Sequence, residues 1–208
     1  MRRNTLMNSP IRPPLPGAQR TSLGWHVKLM IGLGVVVTVL FVALLVLRIC
    51  GLVMLFDVPT GGMSPAMSPG DHAIMQGISY VAREPHRGDV IVFKTDGIPS
   101  LPSGQFFVMR VAGEPGDQLR ISDGQVYANS QRVTLSNAAG AITYVPPQSL
   151  DKPTRQIEVT VPPAHYFVLG DNSTNSLDSR YWGSLPGNNI IGRMEFCYWP
   201  PRRVGWVK

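Results

Sequence analysis

The sequence has few cysteines, and its amino-terminal part lacks acidic residues. Cys50 and Cys197 are its two cysteines, and neither has the paired spacing of a zinc site. The first 48 residues contain none of the 13 acidic residues but six of the 19 basic ones, so they account for the formal charge of +6. A nucleic-acid-binding protein would be expected to carry such an excess as a basic patch on its folded domain. We therefore expect no nucleic-acid partner, no metal and no other cofactor.

The two cysteines leave two alternatives open. In an oxidising compartment Cys50 and Cys197 could form one disulfide. Both also lie in apolar sequence, where a free cysteine acts as a small buried side chain. The sequence does not decide whether they pair.

One long uncharged segment, Leu29–Leu47, predicts a transmembrane helix. Its 19 residues would extend about 28 Å, close to the roughly 30 Å hydrocarbon core of a bilayer. A cleavable signal peptide is the alternative, but the apolar run resumes after Arg48 and has no small-residue cleavage pattern before Asp57. Five basic residues precede the helix and only Arg48 directly follows it. This asymmetry predicts a single-pass protein of the cytoplasmic membrane, in contact with lipid, with its amino terminus inside.

These features predict three parts of the chain. Residues 1–28 are expected to be a disordered basic cytoplasmic tail, 29–56 the membrane anchor and juxtamembrane segment, and 57–208 an extracytoplasmic domain. With 19 prolines and 21 glycines, the chain leaves little room for long helices in that domain. Four strand-like segments instead predict an all-β fold: Val90–Phe93, Phe106–Val111, Gln156–Val161 and Tyr166–Leu169.

A less regular cap region is expected within this domain at about residues 118–165. Ile121–Val133 predicts a hairpin, because Asp123-Gly124 and Asn129-Ser130 are typical turn pairs. The segment Leu135–Thr154 is rich in Pro, Ser, Asn and Gly, and it is expected to be an excursion on the surface.

The polar segment Gly170–Gly183 follows the buried strand Tyr166–Leu169 and indicates a candidate site. It places Ser176, Asp178 and Arg180 on a loop at the end of a strand, where sites are commonly built. The alternative is a polar turn stabilised by an Asp/Arg pair, without a functional role.

Four segments in order resemble bacterial type I signal peptidase, the membrane-bound serine protease that removes signal peptides. They are Pro59-Thr-Gly-Gly-Met-Ser-Pro65 with Gly70-Asp71, Arg87-Gly-Asp-Val-Ile-Val-Phe93, Met109-Arg-Val-Ala-Gly-Glu-Pro-Gly-Asp117, and Gly170–Gly183. Met63, Pro65, Asp171 and Asn172 match positions of that family's motifs. The resemblance extends from about Asp57 to the end. It implies a signal-peptidase-like β domain outside the membrane, preceded by one transmembrane helix. The expected partners are signal peptides of preproteins or another membrane or secretion protein.

The family's mechanism uses a serine nucleophile and a neutral, desolvated lysine that removes the serine proton. The resemblance assigns the serine to the position directly before Met63, which is Gly62 here. It assigns the lysine to the position directly before Arg110, which is Met109 here. Both members of the catalytic dyad are therefore predicted to be absent.

The residues around the dyad match the family better. The resemblance assigns Thr60 to the oxyanion hole, beside the backbone N–H of Gly62, and Ser176 to orienting the lysine. It assigns Arg110, Asp178 and Arg180 to bracing the site.

Other residues are unsuited to replace the dyad. In an extended segment the Ser64 hydroxyl would lie about 6 to 7 Å along the chain from position 62, beyond hydrogen-bond reach of about 3 Å. Lys94 enters a polar loop, and we expect it to be solvated. His72, His86 and His165 lack the Ser and Asp spacing that would suggest a classical triad.

Three functions remain as hypotheses. The leading one is a catalytically silent family member that still binds signal peptides or serves in assembly, with strand addition as the mode of binding. The alternatives are an active signal peptidase with an unidentified nucleophile or base, and a non-catalytic partner in assembling surface structures. Met63 and Met67 suit either contact with the bilayer surface or a buried turn.

Overall fold

The computed structural model describes residues 24–77, 80, 83–145 and 156–208. Contacts divide the chain into two compact units, Met1–Ala43 and Leu44–Lys208. Of the tail predicted for residues 1–28, residues 1–23 lie outside the described part.

One helix, α1, extends over Trp25–Ile49 and has no buried side chain. Its 25 residues extend about 37 Å, enough to cross a bilayer core of roughly 30 Å. Within the described ranges it is the one helix whose length and composition allow a membrane span. The helix begins four residues before the predicted Leu29, because Gly24 accepts the first bonds, from the amides of Val27 and Lys28 at 3.0 and 3.2 Å.

Leu44–Lys208 contains the predicted all-β domain. Its main sheet has eight antiparallel strands in the order β1-β2-β13-β3-β4-β11-β12, with β14 paired to β13. The strands of this sheet are β1 Val53–Asp57, β2 His72–Gln76, β3 Val90–Lys94, β4 Phe106–Gly113, β11 His165–Leu169, β12 Leu185–Pro186, β13 Ile190–Trp199 and β14 Gly205–Trp206. The strands predicted at Val90, Phe106 and Tyr166 are among them and are confirmed.

Both faces of the main sheet are covered along β3 and β4. Ile91 and Met109, which are cross-strand partners, belong to one buried cluster, whereas Val90 and Val92 belong to another with Met63. Successive side chains of a strand point to opposite faces, so the continuous apolar run of β3 supplies both clusters.

A second sheet of four strands, in the order β10-β5-β6-β7, forms most of the region predicted as a cap. Its strands are β5 Gln118–Ser122, β6 Gln125–Ala128, β7 Gln131–Val133 and β10 Gln156–Thr160. The predicted hairpin and the strand at Gln156 are thereby confirmed. Both turn pairs have positive φ, 51° and 76° at Asp123-Gly124 and 51° and 68° at Asn129-Ser130, as tight hairpin turns require.

The prediction that Leu135–Thr154 is a surface excursion is wrong for its first part. Leu135 and Tyr144 are 4% and 1% exposed and belong to the buried cluster beneath the second sheet. Two short strands, β8 Ser136–Asn137 and β9 Gly140–Ala141, pair between them. The burial of these two side chains anchors residues 135–145 despite the polar composition around them. Residues 146–155 lie outside the described part.

Candidate functional site

The loop after β11 begins with a close approach of three backbone segments. A Cβ atom at Gly170 would lie 2.1 Å from Ser176 Oγ and 2.6 Å from the carbonyl oxygen of Gly62. Only glycine fits there, because both contacts are far shorter than van der Waals distance. The buried strand β11 thereby delivers Gly170 to the point where Ser176 and Gly62 meet.

Asn172 holds the segment around Gly62 against this loop. Its amide donates to the carbonyl oxygen of Gly62 at 2.9 Å, and its side-chain amide donates to the carbonyl oxygen of Gly61 at 3.0 Å. The two segments are far apart in the sequence, so these bonds are tertiary contacts that bring Gly62 to Ser176.

The space beside Gly62 faces one hydroxyl and one carbonyl. The position that a Cβ atom would occupy at Gly62 is 3.4 Å from the carbonyl oxygen of Asn175 and 3.8 Å from Ser176 Oγ. Ser176 Oγ is buried and has no hydrogen-bond partner, a condition that it shares only with the Tyr144 hydroxyl among the described side chains. A buried polar group without a partner is rare and calls for an explanation.

Met109 is buried, with 5% of its surface exposed. Its cluster includes Phe93 and Trp182. The pairing of β4 with β11 ends with Arg110 opposite Leu169, so Met109 and Gly170 are the next positions on the two strands. The fold thereby places Met109 in register with the glycine against which Ser176 packs.

Arg110 and Asp171, which directly follow Met109 and Gly170 in the sequence, form a buried, bidentate ion pair. Arg110 Nε and Nη2 donate to the two carboxylate oxygens at 2.8 and 2.7 Å, and the side chains are 2% and 0% exposed. Further bonds reach the carbonyl oxygens of Gly88 and Lys208 at 2.8 and 2.9 Å. Asn137 also donates to Asp171 at 3.1 Å. Both charges are therefore neutralised and well bonded, which a buried pair requires.

Asp178 and Arg180 form a second buried ion pair, within the loop itself. Arg180 Nε and Nη2 donate to Asp178 at 2.8 Å each, and both side chains are 0% exposed. Asp178 also accepts the amide of Gly170 at 2.9 Å, and Arg180 donates to the hydroxyl of Ser173 at 2.7 Å. The pair therefore connects the start of the loop, at Gly170, with its end, at Asp178 and Arg180. Its short helix, α2 Ser179–Trp182, begins directly after Asp178.

Sequence reasoning missed Tyr144, whose ring packs beneath the second sheet. Burial raises the pKa of its phenol, with a further contribution from the charge of Asp171. Val145, its neighbour, joins the loop, since its amide donates to Ser173 Oγ at 2.7 Å and its carbonyl oxygen accepts from Arg180. No local pattern marks these residues, because their partners come from distant parts of the chain.

In the segment Pro59–Pro65, the other residues that match the family differ in how exposed they are. Thr60 is exposed, and its hydroxyl has no bond to a described residue. Pro65 is exposed as well, and its carbonyl oxygen accepts from Arg203 at 2.8 Å. Met63 and Met67 are 3% and 0% exposed, so the buried turn is confirmed and the alternative of bilayer contact is wrong.

The assumption of an extended segment at Ser64 is wrong. The chain turns there, with the amide of Ser64 bonded to Gly61 at 3.1 Å and that of Met67 to Met63 at 2.9 Å. The Ser64 hydroxyl bonds to the carbonyl oxygen of Met67 at 3.3 Å and to Ser68 Oγ at 3.1 Å. It is therefore engaged within its own turn.

The remaining candidate groups lie in ordinary surroundings. Lys94 is exposed. His72 pairs with Asp57, and His86 lies 3.7 Å from Glu114. His165 contacts a backbone carbonyl oxygen at 2.9 Å. Within the described ranges, no serine is bonded to these histidines and no group of acidic, His or Cys side chains is arranged to hold a metal. Cys50 and Cys197 are both free. The alternative of two small buried side chains is confirmed for Cys197 and wrong for Cys50, which is exposed.

Comparison with known proteins gives one family. Residues 30–199 match the family model described as signal peptidase, peptidase S26. The chain is 38% identical over 151 residues to the probable signal peptidase I-2 of Synechocystis sp., covering 71% of this chain and 64% of that protein's length. It is 36% identical over 153 residues to the signal peptidase I of Leptolyngbya laminosa, covering 71% and 70%.

Among solved structures, a signal peptidase I from Enterococcus faecalis V583 is similar at 29% sequence identity. The match has a TM-score of 0.40 and covers 53% of this chain and 97% of the other. With the family model matching most of the chain and two relatives above one third identity, this chain belongs to the signal peptidase family, peptidase S26.

Proposed function

We propose that this protein is a catalytically silent signal peptidase that binds signal peptides without cleaving them. The resemblance implies a nucleophile at position 62 and a base at position 109, which are Gly62 and Met109 here. Neither side chain can attack a carbonyl or accept a proton. In a serine protease, losing nucleophile and base together costs on the order of a million-fold in rate.

The observation that carries the proposal is the unpartnered hydroxyl of Ser176. The resemblance gives this serine the task of orienting a lysine amine, and the position in register with Gly170 is occupied by the buried thioether side chain of Met109. A hydroxyl that has lost such a partner is what the absence of the dyad would leave behind.

A bound peptide remains compatible with the surrounding geometry. The two buried ion pairs, Arg110–Asp171 and Asp178–Arg180, keep the loop of Ser176 in place without the dyad. Thr60 and the amide of Gly62 supply donors for a carbonyl oxygen, as the resemblance implies for the oxyanion hole. An extended signal peptide would add to the sheet as a strand.

We also propose the location that the sequence predicts. Helix α1 would anchor the protein once in the cytoplasmic membrane, with residues 1–28 inside, 29–56 as the anchor and juxtamembrane segment, and 57–208 outside. Its partners would then be membrane lipid and signal peptides of preproteins.

Two alternatives predict different behaviour. An active protease would need another nucleophile, and the engagement of Ser64 in its own turn and the exposure of Lys94 argue against that pair. A partner in assembling surface structures would use the domain for protein contacts and would leave the peptide-binding site empty. Measuring both peptide binding and peptide cleavage distinguishes these three functions.

The first prediction concerns cleavage. Full-length protein in detergent, incubated with a preprotein that carries a signal peptide, is expected to produce no mature protein above the level of a Gly62→Ala control. The preprotein is nevertheless expected to bind, as measured by co-purification. Cleavage above the control would contradict catalytic silence, and a Ser64→Ala variant would then show whether Ser64 is responsible.

The converse variant restores the dyad. In Gly62→Ser with Met109→Lys, a serine at position 62 meets its nearest neighbours at ordinary contact distance, 3.4 Å or more. A lysine at the buried position 109 would have its pKa lowered by desolvation, as a general base requires. We expect cleavage by the double variant and none by either single variant. Failure of the folded double variant to cleave would mean that more than the dyad has changed.

A further inference from the structure

We propose that Arg203 is a positioning residue for the peptide-binding site. Its guanidinium group fixes the turn Gly61–Met67 and thereby the place of the Gly62 amide. The inference rests on the proposed function, because that amide is one of the donors that would hold a peptide carbonyl oxygen. Arg203 itself lies outside all four segments that resemble the family.

Arg203 bonds both to the turn and to a buried carboxylate that follows the turn. Its Nη2 donates to the carbonyl oxygen of Pro65 at 2.8 Å and to that of Ala66 at 3.4 Å. Its Nε donates to the two carboxylate oxygens of Asp71 at 2.7 and 2.9 Å. Asp71 is 1% exposed, so the ion pair orients the guanidinium group from a buried anchor. A planar guanidinium holds both partners in a fixed geometry, which the ammonium group of a lysine does not reproduce.

The turn is held from outside at two points. Near its start, Asn172 bonds to the carbonyl oxygens of Gly61 and Gly62 at 3.0 and 2.9 Å. Near its end, Arg203 bonds to two further carbonyl oxygens. Within the turn, the amide of Ser64 bonds to Gly61 at 3.1 Å, which connects the two points. The place of Gly62 therefore depends on both outside contacts, and loss of either one lets the turn shift.

The buried methionines of the turn do not replace these bonds. Met63 and Met67 are 3% and 0% exposed and belong to one buried cluster. They hold the turn against the domain, but methionine is a flexible side chain that adapts to irregular space. The amide of Gly62 donates to no described residue, so its direction is set by the backbone of the turn. Hydrogen bonds to the carbonyl oxygens of the turn fix that direction, because they depend on geometry.

The segment that carries Arg203 also contacts the other side of the site. The carbonyl oxygen of Lys208 accepts a bond from Arg110 at 2.9 Å, and Arg110 directly follows Met109. Strand β14 pairs with β13 between these two contacts. This short segment thereby connects the two sides of the site.

The first experiment measures hydrogen exchange of backbone amides in the full-length protein in detergent. Arg203→Lys keeps a positive charge beside Asp71, so that carboxylate is not left buried and unpaired. The variant is expected to exchange the amides of Ser64 and Met67 about tenfold faster, because the turn opens more readily without its outside bonds. The amides of strand β6, in the second sheet, should exchange as they do in the wild type.

Arg202→Lys is the matched control. Arg202 precedes Arg203 in the same short 3₁₀ helix, Pro201–Arg203, and its exposed side chain bonds to no described residue. This variant should leave both the exchange of the turn and the binding of peptide unchanged.

The second experiment measures binding of a synthetic signal peptide that extends past its Ala-x-Ala end. Arg203→Lys is expected to weaken binding about threefold to tenfold. Its melting temperature should fall by no more than about 4 °C. Asp71→Asn provides the converse case, since it removes the ion pair but leaves Arg203 able to bond to the turn. It should have the lower melting temperature of the two variants and yet bind the peptide more tightly.

Unchanged exchange at Ser64 and Met67 in Arg203→Lys would overturn this inference. Losses of binding that follow the melting temperature across all the variants would also overturn it, because they would show a role in stability alone. Neither result would affect catalytic silence. Absence of peptide binding by the wild type would overturn the proposed function, while hydrogen exchange would still decide whether Arg203 positions the turn.

Discussion

Asp178 shows how strongly a single carboxylate can organise this site. It bonds to Arg180 through both oxygens and also accepts the amide of Gly170, with no exposed surface. Removing one partner of a buried ion pair leaves an uncompensated charge, which costs far more than the net contribution of the intact pair. The loop that carries Ser176 therefore depends on this residue.

The residue-scale prediction follows from that burial. Asp178→Ala is expected to lower the free energy of unfolding by about 3–5 kcal/mol, because Arg180 stays buried without its partner. Asp123→Asn is the control, since asparagine also accepts the positive φ of that exposed turn, and it should change stability by less than about 0.5 kcal/mol. Chemical denaturation in detergent measures both. Equal stability of the two variants would refute the structural role given to the pair.

At the scale of elements, the segment Leu135–Val145 connects the second sheet to the site loop. The amide of Ile142 bonds to Leu135 at 2.8 Å, and that of Tyr144 bonds to Gly124 in the hairpin turn at 3.0 Å. Val145 then bonds to Ser173 at 2.7 Å. A segment with the composition of a loop thus acts as a packed element between two sheets.

The prediction at this scale concerns Leu135. Leu135→Ala is expected to destabilise the protein by about 2–5 kcal/mol, as large-to-small changes in a core do. The exposed Ala139 in the same segment offers a control, and Ala139→Ser should stay within about 0.5 kcal/mol. Melting curves of the two variants provide the comparison. A loss for Leu135→Ala as small as that of the control would mean that the segment is not part of the core.

At the scale of the whole molecule, the chain combines one apolar helix with a domain that has no charge excess. In the sequence, four of the six basic residues of the first 48 precede Trp25, and Lys28 and Arg48 lie within α1. The positive and negative charges of the rest of the chain balance. This distribution is the pattern that orients a single-pass membrane protein. The comparisons give the family, and the orientation is a separate proposal.

Topology is tested by labelling cysteines in cells that express the full chain without Cys50 and Cys197. A cysteine introduced as Gln131→Cys, on the exposed strand β7, is expected to react with a membrane-impermeant maleimide in intact protoplasts. One introduced as Ser9→Cys is expected to react only after lysis. The reverse pattern would show the opposite orientation.

Several features followed from the sequence alone because they depend on local patterns. A long uncharged run makes α1 a membrane-span candidate, and alternating or continuous apolar runs bounded by Gly and Asn turns predict strands such as β3, β4 and β11. The order of the four motifs likewise indicated the family that residues 30–199 match.

Other features were decided only by the tertiary structure. Asn172 bonds to Gly61, 111 positions away, and that contact sets Gly62 beside Ser176. The burial of Leu135 and Tyr144 also depends on distant partners. Motif matching could name Gly62, Met109 and Ser176. Their common location, the missing partner of the Ser176 hydroxyl and the carbonyl of Asn175 beside it arise only when separate segments pack together, because burial and hydrogen bonding are properties of the assembled chain.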